Sequence, residues 1–195
     1  MKEVKIISLS GNIGAGKTEV ANLVAEQFGY KLLMLAGLTK SVVSQVYGVS
    51  LEQLEDRKYK EQYRSLVIQY AEKMKEIDLY VHCKYVYELI KKDLALKGSG
   101  TYIISDMRWP YESLYFRKFD RCSQHICEIE YEGFKGYEVS YSPLYIESDL
   151  ANNSSKADSE SHYEYLKKTS QGVIFNGTEE RYDKDRLLNQ LARFL

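Results

Sequence analysis

The sequence predicts an α/β fold in three layers, a mostly parallel, five-stranded sheet with helices on both faces. Two observations carry this. An apolar strand, a glycine-rich loop and an amphipathic helix follow one another without a break from Val4 to Phe28, and short β-rich runs then alternate with helical stretches to the C-terminus. Joined by right-handed crossovers, such an alternation stacks parallel strands under helices on both sides. At 195 residues the chain is long enough for one well-buried domain. We expect a single domain over 1–195, with a helical substrate-binding part at about 38–97 and a lid-like insert at about 132–157.

Val4, Ile6, Ile7 and Leu9 form the first strand, and Val20, Leu23, Val24 and Phe28 recur at helical spacing just after it. Tyr30 to Leu35 reads as the second strand. A helix from Leu38 to Tyr47 follows, with Gly48 just past its end. Leu51 to Leu96 is helical in several pieces: Leu66, Tyr70 and Met74 share a face, and Asp78 is placed to cap the next piece. Tyr102, Ile103 and Ile104 make a third strand that stops at a polar loop, Ser105-Asp106-Met107-Arg108, and Pro110 opens a helix to about Phe119. The alternation from Ser123 to Tyr131 predicts a fourth strand. Gly133, Gly136, Pro143 and the Asn-Asn-Ser-Ser run mark 132–156 as irregular, hence the expected lid. A helix near Asp158 to Lys168, a strand at Val173 to Phe175 and a last helix from about Asp183, with Leu187, Leu188, Leu191 and Leu195 on one face, complete the chain.

The loop between the first strand and helix decides the chemistry. Gly11-Asn12-Ile13-Gly14-Ala15-Gly16-Lys17-Thr18 is a full Walker A sequence in the strand–loop–helix context that the motif requires. Its glycines let backbone N–H groups converge into an anion nest at the positive end of the next helix. Lys17 is expected to neutralise the β and γ phosphates of ATP, and the Thr18 hydroxyl to supply one ligand to a phosphate-bound Mg²⁺. The expected architecture is thus the P-loop NTPase fold.

Composition narrows the partner. Lys plus Arg number 27 against 28 Asp plus Glu, so the net charge is −1 and no basic field favours duplex nucleic acid. A small molecule is the expected substrate. No apolar run reaches the roughly 18 residues of a membrane span, and the Met1-Lys2-Glu3-Val4 start lacks a signal-peptide core. A cytoplasmic protein is expected, in its own organism or, if viral, in the infected host cell. Cys83, Cys122 and Cys127 make no disulfide framework, and the Cys122-x2-His125-x-Cys127 spacing is wrong for a zinc knuckle. Oligomeric state is open, a homodimer included, and eighteen tyrosines mark no particular function.

Phosphoryl transfer asks a protein for placement and for cations where charge spreads, so the informative residues are carboxylates and arginines at strand ends. Asp106 follows an apolar strand and is placed near the Mg²⁺ or the acceptor. Arg108, two residues on, suits a bidentate grip on an acceptor phosphate. Lys40 and Arg64 are further candidate cations, and Glu112, one turn after Arg108, is placed either to orient that guanidinium, to bind substrate or to form an i,i+4 surface pair.

Taken in order, Ser8 to Thr18, Leu35 to Lys40, Arg64-Ser65-Leu66-Val67, Ser105 to Arg108 with Glu112, Ser159-Glu160 and Val173 to Thr178 resemble the phage deoxynucleoside monophosphate kinase family. Related P-loop small-molecule kinases, phosphomevalonate kinase among them, share parts of the pattern. The resemblance implies a nucleoside monophosphate kinase-like fold and an acceptor site at Lys40, Arg64, Asp106, Arg108 and Glu112. It also implies that Asn176 and Gly177 border the ATP base. Two departures stand out: Ala71 replaces a glycine of the family's helix, and the lid-like insert holds Lys135 and Lys156 but no arginine. Either Lys156, Arg117 or Arg121 supplies the cation that such lids contribute, or the insert serves another purpose.

The reading that results is a kinase converting a (deoxy)nucleoside monophosphate to the diphosphate with ATP and Mg²⁺. A deoxynucleoside kinase has a similar loop, but it must deprotonate a neutral hydroxyl, and Ala36-Gly37 after the second strand offers no carboxylate for that. A non-catalytic nucleotide switch is the third class. The Asn-Lys-x-Asp element that reads guanine is absent.

Overall fold

The computed structural model describes residues 2–120, 134, 136–149, 160–177 and 183–195. These form strands β1 (Lys2–Ser10), β2 (Lys31–Leu33), β3 (Gly100–Ile104), β4 (Tyr137–Glu147) and β5 (Gly172–Phe175). The helices are α1 (Lys17–Phe28), α2 (Gly37–Tyr47), α3 (Leu51–Glu55), α4 (Arg57–Ile77), α5 (Val81–Lys97), α6 (Pro110–Asp120), α7 (Glu160–Thr169) and α8 (Lys184–Leu191). Every strand pairing is parallel and the sheet runs β2-β3-β1-β4-β5. The predicted α/β class is the observed one. No described helix is long and apolar enough to cross a membrane.

The chain divides into two compact units, Met1–Leu33 with Ile90–Leu195, and Met34–Leu89. The first holds the sheet. β1 is central and its last five residues are all buried, as expected of a parallel strand covered on both faces. Its odd-numbered side chains, Ile7 and Leu9, join Ile103, Leu144, Ile146 and Ile174 under Val20, Leu23 and Val24 of α1 and Leu187 and Leu191 of α8. On the other face, Ser8 hydrogen-bonds to the Tyr141 hydroxyl at 2.7 Å, that hydroxyl reaches Ser113 of α6 at 3.3 Å, and Phe116 of α6 packs against the Tyr141 ring. Period-two alternation in one strand thus selects which helix covers which face.

The fourth strand corrects an expectation. The segment 123–131 lies outside the described residues, whereas 137–147, expected within the lid-like insert, pairs with β1 along its whole length, Lys2↔Tyr137 through Ser10↔Tyr145. Gly136 and Pro143 gave this stretch a loop-like appearance, but Val139, Tyr141, Leu144, Tyr145 and Ile146 are buried. Pro143 is tolerated because β5 pairing begins only at Leu144↔Gly172, and the proline carbonyl still accepts from Gln171 N–H at 2.7 Å.

The second unit is helical. Val43, Val49 and Leu54 form its small core, with Tyr63, Leu66, Val67 and Tyr70 packed against them. Ser50 and Gln53 close a reciprocal capping box at the start of α3, with bonds of 3.1 and 2.9 Å.

Candidate active site

β1 ends in the loop 11–16, which returns the chain into α1. The loop is fitted rather than merely flexible. Gly11 has φ 144°, and a Cβ there would lie 2.3 Å from the carbonyl oxygen of Ile146 in the adjacent strand. Gly16, at φ 83°, is the N-cap of α1, and a Cβ there would lie 2.0 Å from the Asn176 amide nitrogen. Only glycine suits both places. No side chain caps α1, so the positive end of that helix is left to whatever the loop binds. This fits the triphosphate of a nucleotide.

The Lys17 ammonium lies inside the loop, donating to the carbonyls of Gly11 at 2.7 Å and Asn12 at 2.9 Å. Burial and, next, the Arg108 guanidinium lower its pKa to about 8, opposed by the carboxylates of Asp106 and Glu19. Lys17, Asp106 and Arg108 therefore share one electrostatic neighbourhood. Sheet order explains why: β1 and β3 are neighbours, and the loop after β3 continues the ladder through Met107 N–H to Leu9 C=O at 3.1 Å. Met107 is buried between half-buried Asp106 and exposed Arg108. A phosphate nest, a carboxylate and two cations at adjacent strand ends can orient two phosphate groups for transfer between them.

Glu112 departs from the surface-pair reading. It is 7 % exposed, and its Oε2 accepts from the backbone N–H of Arg108 at 2.8 Å and of Trp109 at 2.9 Å. Burial raises its pKa to about 7 against the pull of those two bonds. Glu112 thereby shapes the turn that presents Arg108. Asn176 is tied to the phosphate loop. Its side-chain NH₂ donates to the Ala15 carbonyl at 2.9 Å, and its own N–H to the Glu147 carbonyl at 2.8 Å, so the amide is committed to the phosphate loop. Gly177 follows, its carbonyl accepting from Ser148 at 3.2 Å.

The remaining candidates are described by their own partners. Lys40 and Arg64 belong to the helical unit, where Lys40 pairs with Glu55 and Arg64 pairs with Glu61 at 2.9 Å. The Arg117 guanidinium donates to the Thr169 carbonyl, which commits it to joining α6 and α7. Arg121, Lys135, Lys156, Ser159, Thr178, Cys122, His125 and Cys127 lie outside the described residues; Cys83 is a buried free thiol. One contact had no signal in the sequence: the Tyr145 hydroxyl, at the end of β4, donates to the side-chain oxygen of Asn12 at 3.1 Å. Among eighteen tyrosines nothing marked it.

Residues 9–122, which run from the end of β1 through α6, match the family model for phosphomevalonate kinase. The chain belongs to the phosphomevalonate kinase family. That membership makes it a P-loop kinase and falls on the second of the two families whose motifs the sequence shares; it does not single out the phage deoxynucleoside monophosphate kinases. A search of curated proteins finds no match. Among solved structures, this family member is similar to TT1252 from Thermus thermophilus, at 20% identity over 100% of both chains with a TM-score of 0.49. It is also similar to a sugar kinase from a Janibacter species, at 14% identity over 98% of this chain and 95% of that one, TM-score 0.47. Neither likeness adds to what the sheet and the family match establish.

Proposed function

We propose that this kinase transfers the γ-phosphoryl group of ATP to the phosphate of a small phosphomonoester, with a (deoxy)nucleoside monophosphate as the leading acceptor. The observation that carries the reading is the Met107–Leu9 hydrogen bond, which ties the loop carrying Asp106 and Arg108 to the end of β1, where the Walker A loop begins. A phosphomonoester is largely a dianion at neutral pH, so its oxygen attacks the γ-phosphorus without a general base. The bond from that phosphorus to the β,γ-bridging oxygen breaks, ADP leaves with the electron pair, and a diphosphate forms. This agrees with the absence of a carboxylate in Met34-Leu35-Ala36-Gly37, the segment that follows the second strand.

In this mechanism the loop N–H groups and Lys17 hold the donor phosphates and Arg108 holds the acceptor phosphate. Arg108, whose charge is felt at Lys17, is also assigned to neutralise the group in flight, a task the arginine-free segment 132–157 leaves open. Thr18 and Asp106 would hold Mg²⁺. Mg²⁺ keeps several waters and is held by one or two protein ligands together with the phosphates of the nucleotide. Bound there, Mg²⁺ supplies charge neutralisation of the phosphates.

The family match favours a second acceptor, phosphomevalonate, which is also a phosphomonoester. A coupled ADP-release assay separates the readings. It should be run over the deoxynucleoside and ribonucleoside monophosphates and phosphomevalonate, with deoxynucleosides and mevalonate as unphosphorylated controls. Turnover confined to nucleoside monophosphates supports the leading acceptor; turnover with phosphomevalonate alone selects the second; no response to any phosphomonoester would sink the proposal.

A further inference from the structure

We infer that Tyr145 and Asn176 are positioning residues of the phosphate loop: two buried side chains from neighbouring strand ends that hold it in its binding shape and thereby set affinity for the donor polyphosphate. The loop's internal turn bond, Ala15 N–H to Asn12 C=O, is 3.2 Å long. Each end of that turn is also held from outside. The Tyr145 hydroxyl donates to the Asn12 side chain at 3.1 Å, and Asn176 donates to the Ala15 carbonyl at 2.9 Å.

The two anchors brace one another. Asn176 N–H donates to the carbonyl of Glu147, two residues after Tyr145, and Ser148 Oγ donates to the Gly177 carbonyl. The Glu147 carboxylate in turn pairs at 2.5 Å with Lys167, whose ammonium lies 5.8 Å from the centre of the Tyr145 ring. Burial, followed by the charges of Glu147 and Tyr163, pushes the Tyr145 hydroxyl up to about 12, so it remains a donor at any working pH.

Asn176 serves the loop at some expense to the fold. Its Oδ1 is buried and has no hydrogen-bond partner among the described residues, an arrangement that disfavours folding. Its nitrogen also fills the space that a side chain at position 16 would need. A loop whose N–H groups must converge on an anion loses conformational freedom on binding. Anchors that impose the shape beforehand move that loss into folding and raise affinity.

The test uses the full chain, Tyr145→Phe, Asn176→Ala and the control Tyr141→Phe, which removes a buried hydroxyl of the same strand that bonds to Ser8 and Ser113 instead of the loop. Calorimetric titration reads Mg·ATP affinity, displacement by Mg·tripolyphosphate reads a donor without a base, and melting reads stability. One lost neutral hydrogen bond corresponds to roughly a 3- to 10-fold loss of affinity. Both loop variants should weaken ATP and tripolyphosphate by such a factor, whereas Tyr141→Phe should lower the melting temperature and leave both affinities alone. Asn12→Ala combined with Tyr145→Phe should bind no more weakly than the worse single variant, because both delete one contact. This cycle decides the matter even if Asn176→Ala fails to fold. Wild-type affinity in Tyr145→Phe overturns the inference, as does equal weakening in Tyr141→Phe; weakening of ATP but not tripolyphosphate in Asn176→Ala would make that residue a base contact. None of these results depends on which acceptor is used.

Discussion

Lys17 is held between opposing demands: charged, to meet phosphate, and half-buried against backbone carbonyls in the field of another cation. Its folded pKa of about 8 lies below the ordinary 10.5, so the folded protein holds this proton less firmly than the unfolded chain does. Between those values the unfolded chain binds more protons, and the lysine's contribution to stability therefore improves as pH rises from about 8 towards 10.5. Polyphosphate binding restores the charged form. At pH 8.5, binding of Mg·ATP should take up a fraction of a proton, read as a dependence of calorimetric enthalpy on the ionisation enthalpy of the buffer; at pH 6.5 that dependence should vanish. Lys17→Ala should reduce kcat by about 10²- to 10³-fold, as loss of a transition-state cation does, without lowering the melting temperature. Arg108→Ala should raise the acceptor KM about 10- to 100-fold, the worth of a charge-assisted hydrogen-bond pair, and leave ATP affinity nearly unchanged. An unaltered acceptor KM would refute its role.

At the scale of an element, α6 owes its start to Glu112, for which sequence spacing left three roles open: orienting Arg108, binding substrate or forming a surface pair. Pro110 occupies the first turn, and Glu112 reaches back to the amide of Trp109, as in half of a capping box, and to that of Arg108 one residue further out. Glu112→Ala should cost about 1–3 kcal/mol by removing the acceptor of both bonds, whereas Glu112→Gln keeps one acceptor oxygen and should cost less. Burial raises this carboxyl from 4.5 to about 7, so the folded state binds its proton more firmly than the unfolded chain. The stability it contributes is complete below about 4.5 and is lost as pH rises through 7. Melting curves from pH 4.5 to 8 should show that loss in the wild type and not in Glu112→Gln. β4 carries the complementary lesson. Its proline and flanking glycine read as loop, but a strand needs only side chains that suit its two faces and backbone groups that find partners, and β1 supplies both.

At the scale of the molecule, parallel order makes one end of the sheet the functional end: every loop named as part of the site follows the carboxyl end of a strand. A donor bound only by the folded state stabilises it by mass action, about 2.7 kcal/mol at a hundredfold excess over Kd, or roughly 5–11 °C in melting temperature for a chain of this size. Mg·ADP should produce such a shift in the wild type and little in Lys17→Ala. A shift of equal size in both would place the nucleotide somewhere other than the Walker A loop.

The sequence by itself determined the fold class, the phosphate loop and its lysine, and the strand-end pair Asp106 and Arg108. These are local facts: periodicity of two or 3.6, glycine spacing, and polar residues where an apolar run stops. The tertiary structure decided what depends on partners distant in the chain. It made 137–147 an interior strand paired with β1, turned Glu112 inward to two amides, and assigned Asn176 and Tyr145 to Ala15 and Asn12, more than 130 residues away. Hydrogen bonds across such separations leave no period in the sequence, because register and sheet order, not neighbouring residues, bring their ends together.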